Sequence, residues 1–421
     1  MPDPMDATRF DALLQRLAGF TASGAGVTRL AYDGAWCAAH RWLADQARER
    51  GLAATTDAAG NLLFHDPALH PGDLGEPVTL VGSHLDSVRD GGRYDGAYGV
   101  LAGLVLAAEH RGRPGPQVVG FVTAEEEQSR FDSQMMGARA LLGLVRDAEL
   151  DEVRDRDGVT WRVARDAAER AGCASPLVGG ETPMRPRFRA TVTIEPHIEQ
   201  GPVLEADGIP IGLVTAIAGF RRLRMSVIGE PRHAGTTPIE MRRDALAGAA
   251  EMVLVAETLA RESGGPARIT AGNLTASPGL FNVSPGAAEL WLEVRHSDGA
   301  TLARLATELG GRCGVIATRR GLTLRTELVT SQDPTPLSAA LVEAGEITGR
   351  ERGIATRHMV SGAGHDSMEF ARAGLESTMV FVPSRGGISH APDEYTGPEA
   401  LWTGVCFTSA LLERIAVGQT R

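Results

Sequence analysis

The chain has 421 residues, 43% hydrophobic and 23% charged, with a formal net charge of -11. That length exceeds one ordinary core and predicts two domains, while the acidic balance excludes nucleic acid or an anionic membrane as the main partner and leaves room for a small anionic substrate held by a local arginine. The start M-P-D-P-M-D-A-T-R-F is acidic and carries no signal-peptide pattern, no unbroken apolar run approaches the roughly 20 residues of a membrane helix, and the four scattered cysteines, Cys37, Cys173, Cys313 and Cys406, read as thiols of a reducing cytosol.

Residues 6 to 50 place apolar side chains at helical spacing (Leu13, Leu14, Leu17, then Trp36, His40, Leu43, Ala47), predicting two helices around an S-G-A-G loop. Val78 to Val81 reads as a buried strand, Val100 to His110 as the helix after it, Val118 to Thr123 as a second strand and Thr191 to Ile194 as a third. Such alternation predicts an α/β domain with a mostly parallel central sheet flanked by helices. Asp147 to Met184 is charged, then turn-rich, and is expected to be helix and loop. Leu223 to Ile228 then alternates like a half-exposed strand, Asp244 to Ala260 is an alanine-rich helix, and Gly272 to Ala276 and Glu289 to Val294 are further strands. A helix near Leu302 to Leu309 and a strand over Leu322 to Leu328 complete a β-α-β-β-α-β order, the split βαβ pattern of a small α+β sandwich. Strand character resumes at Thr378 to Val382, and Ala400 to Ile415 is a closing apolar helix. The expected organisation is therefore an α+β domain, 215–330, inserted into a discontinuous α/β domain, 1–214 and 331–421.

Four apolar runs lead straight into metal-ligand side chains: T-L-V-G-S-H-L-D, V-V-G-F-V-T-A-E-E-E, A-T-V-T-I-E-P-H-I-E-Q and M-V-F-V-P-S followed by G-G-I-S-H. In open α/β sheets ligands gather beyond the carboxyl ends of strands. Singly, each has a plainer reading as a satisfied loop histidine, a solvated glutamate run or a strand end. Four such coincidences in one chain point to one site. Two metal ions want one bridging carboxylate with imidazole and carboxylate ligands on either side; such a pair lowers the pKa of a bound water and polarises a scissile carbonyl. A carboxylate that does not ligate then shuttles the proton to the leaving nitrogen. Adjacent Glu126 and Glu127 can supply one base and one ligand. Asp86, two residues after His84, suits a supporting role, accepting a hydrogen bond from the imidazole and fixing its tautomer.

The segments G-S-H-L-D-S-V, G-G-R-Y-D-G-A-Y-G-V, E-E-E-Q-S-R-F, H-I-E-Q-G-P-V-L-E, H-A-G-T-T-P, R-R-D-A-L, F-N-V-S-P-G, S-G-A-G-H-D and P-S-R-G-G-I-S-H lie in this order over residues 80 to 395. In these segments the chain resembles the metal-dependent hydantoinase/carbamoylase amidases of the M20 peptidase-like superfamily, which include N-carbamoyl-L-amino acid hydrolases, allantoate amidohydrolases and β-ureidopropionases. The resemblance implies two divalent ions, one held by His84, Asp95 and His197, the other by the bridging Asp95 with Glu127 and His390, and Glu126 as general base. It implies that the inserted domain is lid and dimerisation surface, so that the protein is a homodimer. It gives His233 the role of polarising the substrate carbonyl, Asn282 and Arg295 the substrate's polar groups and carboxylate, and Gln200 a place in the pocket wall. His365 and Asp366 fall outside the ligand set and are expected to support it. Departures are Gln128, where the family usually has glycine, Pro196 before His197, and Tyr98, which stands where a smaller residue is usual and is expected to bear on substrate size.

The expected reaction is hydrolysis of the carbamoyl C–N bond of an N-carbamoyl-L-amino acid, giving amino acid, carbon dioxide and ammonia. Allantoate or β-ureidopropionate hydrolysis is the nearest alternative. A dipeptidase is disfavoured by H-I-E-Q-G-P and H-A-G-T-T-P, and a non-catalytic binding protein by the intact ligand set. Zinc, manganese, cobalt and nickel all suit these donors.

Overall fold

Capping residues and apolar runs set the elements of the computed structural model, which describes residues 5–72, 75–176, 188–265 and 267–419. The helices α1 (Ala7–Ala18) and α2 (Gly34–Glu49) begin at Asp6 and Asp33, whose carboxylates accept the N–H of Arg9 at 2.9 Å and of Trp36 at 2.7 Å. Two short strands follow, β1 (Ala53–Thr56) and β2 (Leu62–His65), then β3 (Pro77–His84), α3 (Ala97–His110) and β4 (Gln117–Thr123). Next come α4 (Met136–Leu141), α5 (Asp147–Glu152), α6 (Trp161–Arg170), β5 (Arg189–Ile198), α7 (Val203–Asp207) and β6 (Ile211–Ile217). The expected helix-and-loop character beyond Asp147 is met by α5 and α6; its stretch from 177 lies outside the described residues.

The chain continues through β7 (Gly219–Ile228), β8 (Arg232–His233), α8 (Ala245–Ser263), β9 (Arg268–Ser277), β10 (Val283–Ser284), β11 (Ala287–His296), α9 (Gly299–Arg319) and β12 (Thr323–Gln332). It ends with β13 (Thr335–Pro336), α10 (Ala339–Arg352), β14 (Thr356–Ser361), α11 (Asp366–Arg372), β15 (Glu376–Val382) and α12 (Pro398–Gln419).

Two compact units result, Met1–Thr215 with Leu337–Met359 and His365–Arg421, and Ala216–Pro336 with Val360–Gly364. The boundary expected at 330 falls inside β12, which runs on to Gln332. The main sheet has the order β1-β2-β4-β3-β5-β15-β6-β13, with β14 also on β6. Its centre, β4-β3-β5-β15, is parallel, and its edges are antiparallel. This is the mixed α/β fold expected. Because the four central strands run the same way, their carboxyl ends share one edge, and the side chains that follow them converge.

The helix α3 is apolar on all sides and packs on β3 and β4, with α1 and α12 against it. Among the described residues α12 alone is long and apolar enough to cross a bilayer, which a search for unbroken apolar runs misses. Its Leu401, Val405, Phe407, Leu411 and Leu412 are buried in the core. In the second unit, β12-β7-β11-β9 forms an antiparallel sheet. Its Leu223, Met225, Leu290 and Leu292 pack with Met252 of α8 and Leu305 of α9. The opposite face carries Arg222, Arg224, Glu293 and Glu327 in ion pairs.

Candidate dinuclear metal centre

His84 ends β3, the loop after β4 carries Glu126 and Glu127, His197 lies near the end of β5, and β15 leads through a short turn to His390. Asp95 precedes Gly96, the residue from which α3 starts. Gly96 has φ 63, and a Cβ there would lie 2.5 Å from the His84 ring. Only glycine brings this backbone so close to the imidazole.

The geometry centres on Asp95. Its Oδ1 lies 3.4 Å from His84 Nε2 and 3.2 Å from His197 Nε2, while its Oδ2 lies 3.1 Å from His390 Nε2. His390 Nε2 is in turn 3.4 Å from Glu127 Oε2. The donor atoms of His84, Asp95 and His197 all lie within 4.8 Å of one another, as do those of Asp95, Glu127 and His390. Two triads thus share one carboxylate. Glu126 belongs to neither, and its Oε2 stands 3.9 Å from His84 Nε2.

The two buried imidazoles are aimed by their other nitrogen. His84 Nδ1 donates to the Asp86 main-chain carbonyl at 3.0 Å, and His197 Nδ1 to the Ile198 carbonyl at 2.9 Å. Each Nε2 is then turned toward Asp95. Asp86 therefore supports His84 by its backbone, its carboxylate being 3.8 Å from the ring. That carboxylate instead accepts the N–H groups of Glu126 and Glu127, each at 3.1 Å. A side chain expected to orient the imidazole fixes the glutamate loop instead, and the main-chain carbonyl of Asp86 orients the ring. Glu125 turns inward and anchors the same loop, accepting from the N–H of Arg130 at 3.1 Å and of Phe131 at 2.7 Å.

The electrostatics call for cations. Burial opposes every charge here, yet Glu126, Asp95 and Asp86 hold the His84 imidazole well above its usual range. Against the same burial, hydrogen bonds from His197, His390 and His84 hold Asp95 well below the carboxylate range. The hydrogen bond to Asp95 raises His390 to about 9. Burial and then the Asp95 charge push Glu127 up to about 7, and Glu126 is driven well above its usual range by burial, with Glu127, Asp366 and Asp86 adding to it. Buried carboxylates repelling one another are what a divalent ion relieves. Glu127 Oε1 is moreover a buried acceptor without a hydrogen-bond partner. Imidazole nitrogens and carboxylate oxygens about a shared aspartate fit two ions of the zinc, manganese, cobalt or nickel type.

Gln200, at φ 58, directs Nε2 to Asp95 Oδ2 at 2.8 Å, so it lies on the cluster. His365 packs its ring on His197, with centroids 4.6 Å apart, and the Thr123 hydroxyl donates to Asp366. The exposed Gln128 occupies a left-handed conformation, φ 53, which accounts for glycine being usual there. Pairing of β5 with β3 stops at Ile194, two residues before Pro196, while pairing with β15 continues through Ile198. Tyr98 is corrected outright. It is fully buried, donates to the Leu401 carbonyl at 3.1 Å and sets its ring edge-on to Phe10, so it fills the core behind α3.

In the second unit the structure brings His233 and Asn282 together. His233 is paired with Val283, and the Ala234 N–H donates to the Asn282 carbonyl at 2.8 Å. His233 Nδ1 accepts from the Gly235 N–H at 3.1 Å, which leaves the ring proton on Nε2. Arg295 is engaged by Glu293 at 2.5 Å and by the Gly362 carbonyl, with its guanidinium 5.6 Å from the Phe220 ring centroid. Sequence reasoning missed Glu195, Ser389 and Glu394. Glu195 accepts from Ser83 and Ser367 hydroxyls at 2.8 and 2.7 Å, and a charge inside an apolar strand was the available signal. Glu394, four residues after a ligand-type histidine, gave no local signal.

The profile of the family described as Peptidase family M20/M25/M40 matches residues 80–414. An N-carbamoyl-L-amino-acid amidohydrolase of Paenarthrobacter aurescens is 38% identical over 403 residues, covering 94% of this chain and 95% of that protein. An allantoate amidohydrolase of Bacillus subtilis (strain 168) is 33% identical over 405 residues, covering 94% of each. Among solved structures, a hydantoinase/carbamoylase family amidase from Burkholderia multivorans superposes with a TM-score of 0.87 at 32% identity, covering 97% of this chain and 98% of that one.

Proposed function

This chain belongs to peptidase family M20/M25/M40 and is a hydrolase of non-peptide C–N bonds, and from that premise we propose that it cleaves the carbamoyl group from an N-carbamoyl-L-amino acid. The carrying observation is the shared carboxylate: Asp95 presents one oxygen to His84 and His197 and the other to His390, with Glu126 outside both triads. His84, Asp95 and His197 would hold one divalent ion and Asp95, Glu127 and His390 a second; when bound, such ions would supply Lewis acidity for the ureido carbonyl and lower the pKa of the attacking water.

Glu126 takes the proton from that water as it adds to the carbonyl carbon, and delivers it to the nitrogen as the C–N bond breaks. Its burial, which favours the protonated form, suits the second half of that task. The carbamate product loses carbon dioxide, so that one ureido substrate and one water give the amino acid, carbon dioxide and ammonia. Arg295 is assigned to the substrate carboxylate because a guanidinium fork suits a carboxylate; here its Nε donates to Glu293 and another N–H to the Gly362 carbonyl. His233, with its proton on Nε2, is assigned to the carbonyl oxygen, and Asn282 and Gln200 to the remaining polar groups. We assign the working form to a homodimer in the cytosol.

The stronger likeness to the carbamoylase than to the allantoate enzyme supports this substrate class. The allantoate reading stands second, on the relative that matches the same span. The test is ammonia release by manganese-loaded protein offered N-carbamoyl-L-amino acids, N-carbamoyl-β-alanine, allantoate and dipeptides. The proposal expects turnover of N-carbamoyl-L-amino acids above all others. Turnover of allantoate alone moves the assignment to the second reading, and cleavage of dipeptides alone overturns both.

A further inference from the structure

We infer that Glu394 is a positioning residue for the bridging carboxylate, a clasp that joins the loop carrying Asp95 to the loop carrying His390; the inference rests on the metal-dependent reading above. Glu394 is 3% exposed. Its Oε1 accepts the backbone N–H of Tyr94 at 2.9 Å and of Asp95 itself at 3.2 Å. Its Oε2 accepts the Ser389 hydroxyl at 2.8 Å, and that same hydroxyl lies 3.2 Å from Asp95 Oδ2. One side chain therefore holds the backbone at the bridging residue and, through Ser389, meets the oxygen that faces His390. The two loops lie some 300 positions apart in sequence, so nothing local could impose their register.

Two further contacts make the clasp a built feature. A Cβ at Gly92 would lie 2.0 Å from the Glu394 carboxyl carbon, so the second glycine of D-G-G-R-Y-D is the room into which this side chain fits. Tyr94 and Tyr395 meet edge to face, with centroids 6.1 Å apart, and Arg385 covers the Tyr395 ring at 4.4 Å. The hydroxyl of Ser389 has one proton and two carboxylates within reach. The Ser389 hydroxyl lies nearer Glu394 Oε2, at 2.8 Å, than Asp95 Oδ2, at 3.2 Å, so its proton goes to Glu394 and leaves Asp95 Oδ2 available to a cation.

Replacing a group that orients a ligand typically weakens metal binding about 10–100-fold. Titration of MnCl2 into EDTA-stripped protein, followed by calorimetry, reads this directly. E394A is expected to weaken manganese binding by about that factor. E394Q keeps an oxygen for both N–H groups, but its amide N–H reverses the Ser389 contact and turns the hydroxyl proton toward Asp95 Oδ2, so it is expected to lose affinity by less than E394A. S389A, which leaves the backbone contacts in place, is expected to fall between them. Should E394A fail to fold as metal-free protein, judged by circular dichroism in EDTA, the pair E394Q and S389A decides. Wild-type affinity in both E394A and S389A overturns the clasp, and so does an E394Q loss as large as that of E394A, which would make charge rather than position the cause. Wild-type protein that takes up no manganese overturns the metal reading instead.

Discussion

The two units treat charge in opposite ways. At the strand ends of the first, His84, Asp86, Asp95, Glu126 and His197 are each no more than 6% exposed. On the open sheet face of the second, the side chains of the pair Arg224 and Glu327 are 40% and 59% exposed. Burying a charged group costs several kcal/mol unless it is paired and hydrogen-bonded, about the whole stability margin of a domain if repeated over five groups. An exposed cross-strand pair costs little and contributes little. The first arrangement fits the metal site proposed above, where an ion and its water would offset that cost. The second is a solvated surface of cross-strand ion pairs. Substitutions in the two regions should therefore differ by orders of magnitude in their effect on turnover.

The sharpest way to break that contrast is E126Q. Gln cannot take a proton from water, while Glu126 is a member of neither triad and only stands 3.9 Å from His84, so manganese content should stay near the wild-type level and kcat should fall by roughly 10²–10⁴-fold. Metal content by mass spectrometry and kcat from ammonia release are the two readouts; near-normal turnover would remove Glu126 from the mechanism. D86N comes next. Its single amide oxygen can serve only one of the two N–H groups at Glu126 and Glu127 that the carboxylate now receives. A loss of about 10–100-fold in kcat, with manganese affinity weakened alongside it, is expected. If D86N turns over like wild type, the glutamate loop is held by Glu125 alone, through Arg130 and Phe131.

How far the sequence carried follows from what each signal depends on. The convergence of His84, Glu127, His197 and His390 was legible because apolar runs end at or near them and the sheet is parallel there, whereas the role of Asp95, eleven residues beyond β3, came only from the family resemblance. The split βαβ order of the second unit was legible from periodicity, since Leu223, Met225 and Val227 alternate with charged or polar neighbours. The edge strands were not: β1 is A-A-T-T, partly buried throughout, and nothing in four residues separates it from a loop. Tyr98 was misplaced because helical α3 is apolar on every side, so its pattern gives no facing, and only Leu401 and Phe10 reveal that it looks into the core. Asp86 was assigned its partner by proximity in sequence, whereas its carboxylate serves residues forty positions on. Glu394 depends on a contact across 300 residues, which no local pattern encodes.

The smallest effect is expected from R224A, and it tests the other side of the comparison. Arg224 in β7 lies directly opposite Glu327 in β12, 2.6 Å away, on the solvent face of the sheet. The pair is a good cross-strand contact, but water serves both groups nearly as well once it is broken. The melting temperature should move by little more than the scatter of repeat scans, and kcat, KM and manganese affinity should match wild type. Raising the salt concentration should leave the variant and the wild type equally unaffected, because an exposed pair is already screened. A loss of turnover approaching that of D86N would show that the sheet face contributes to the reaction, and the division between a working interior and a solvated surface would have to be redrawn through β7.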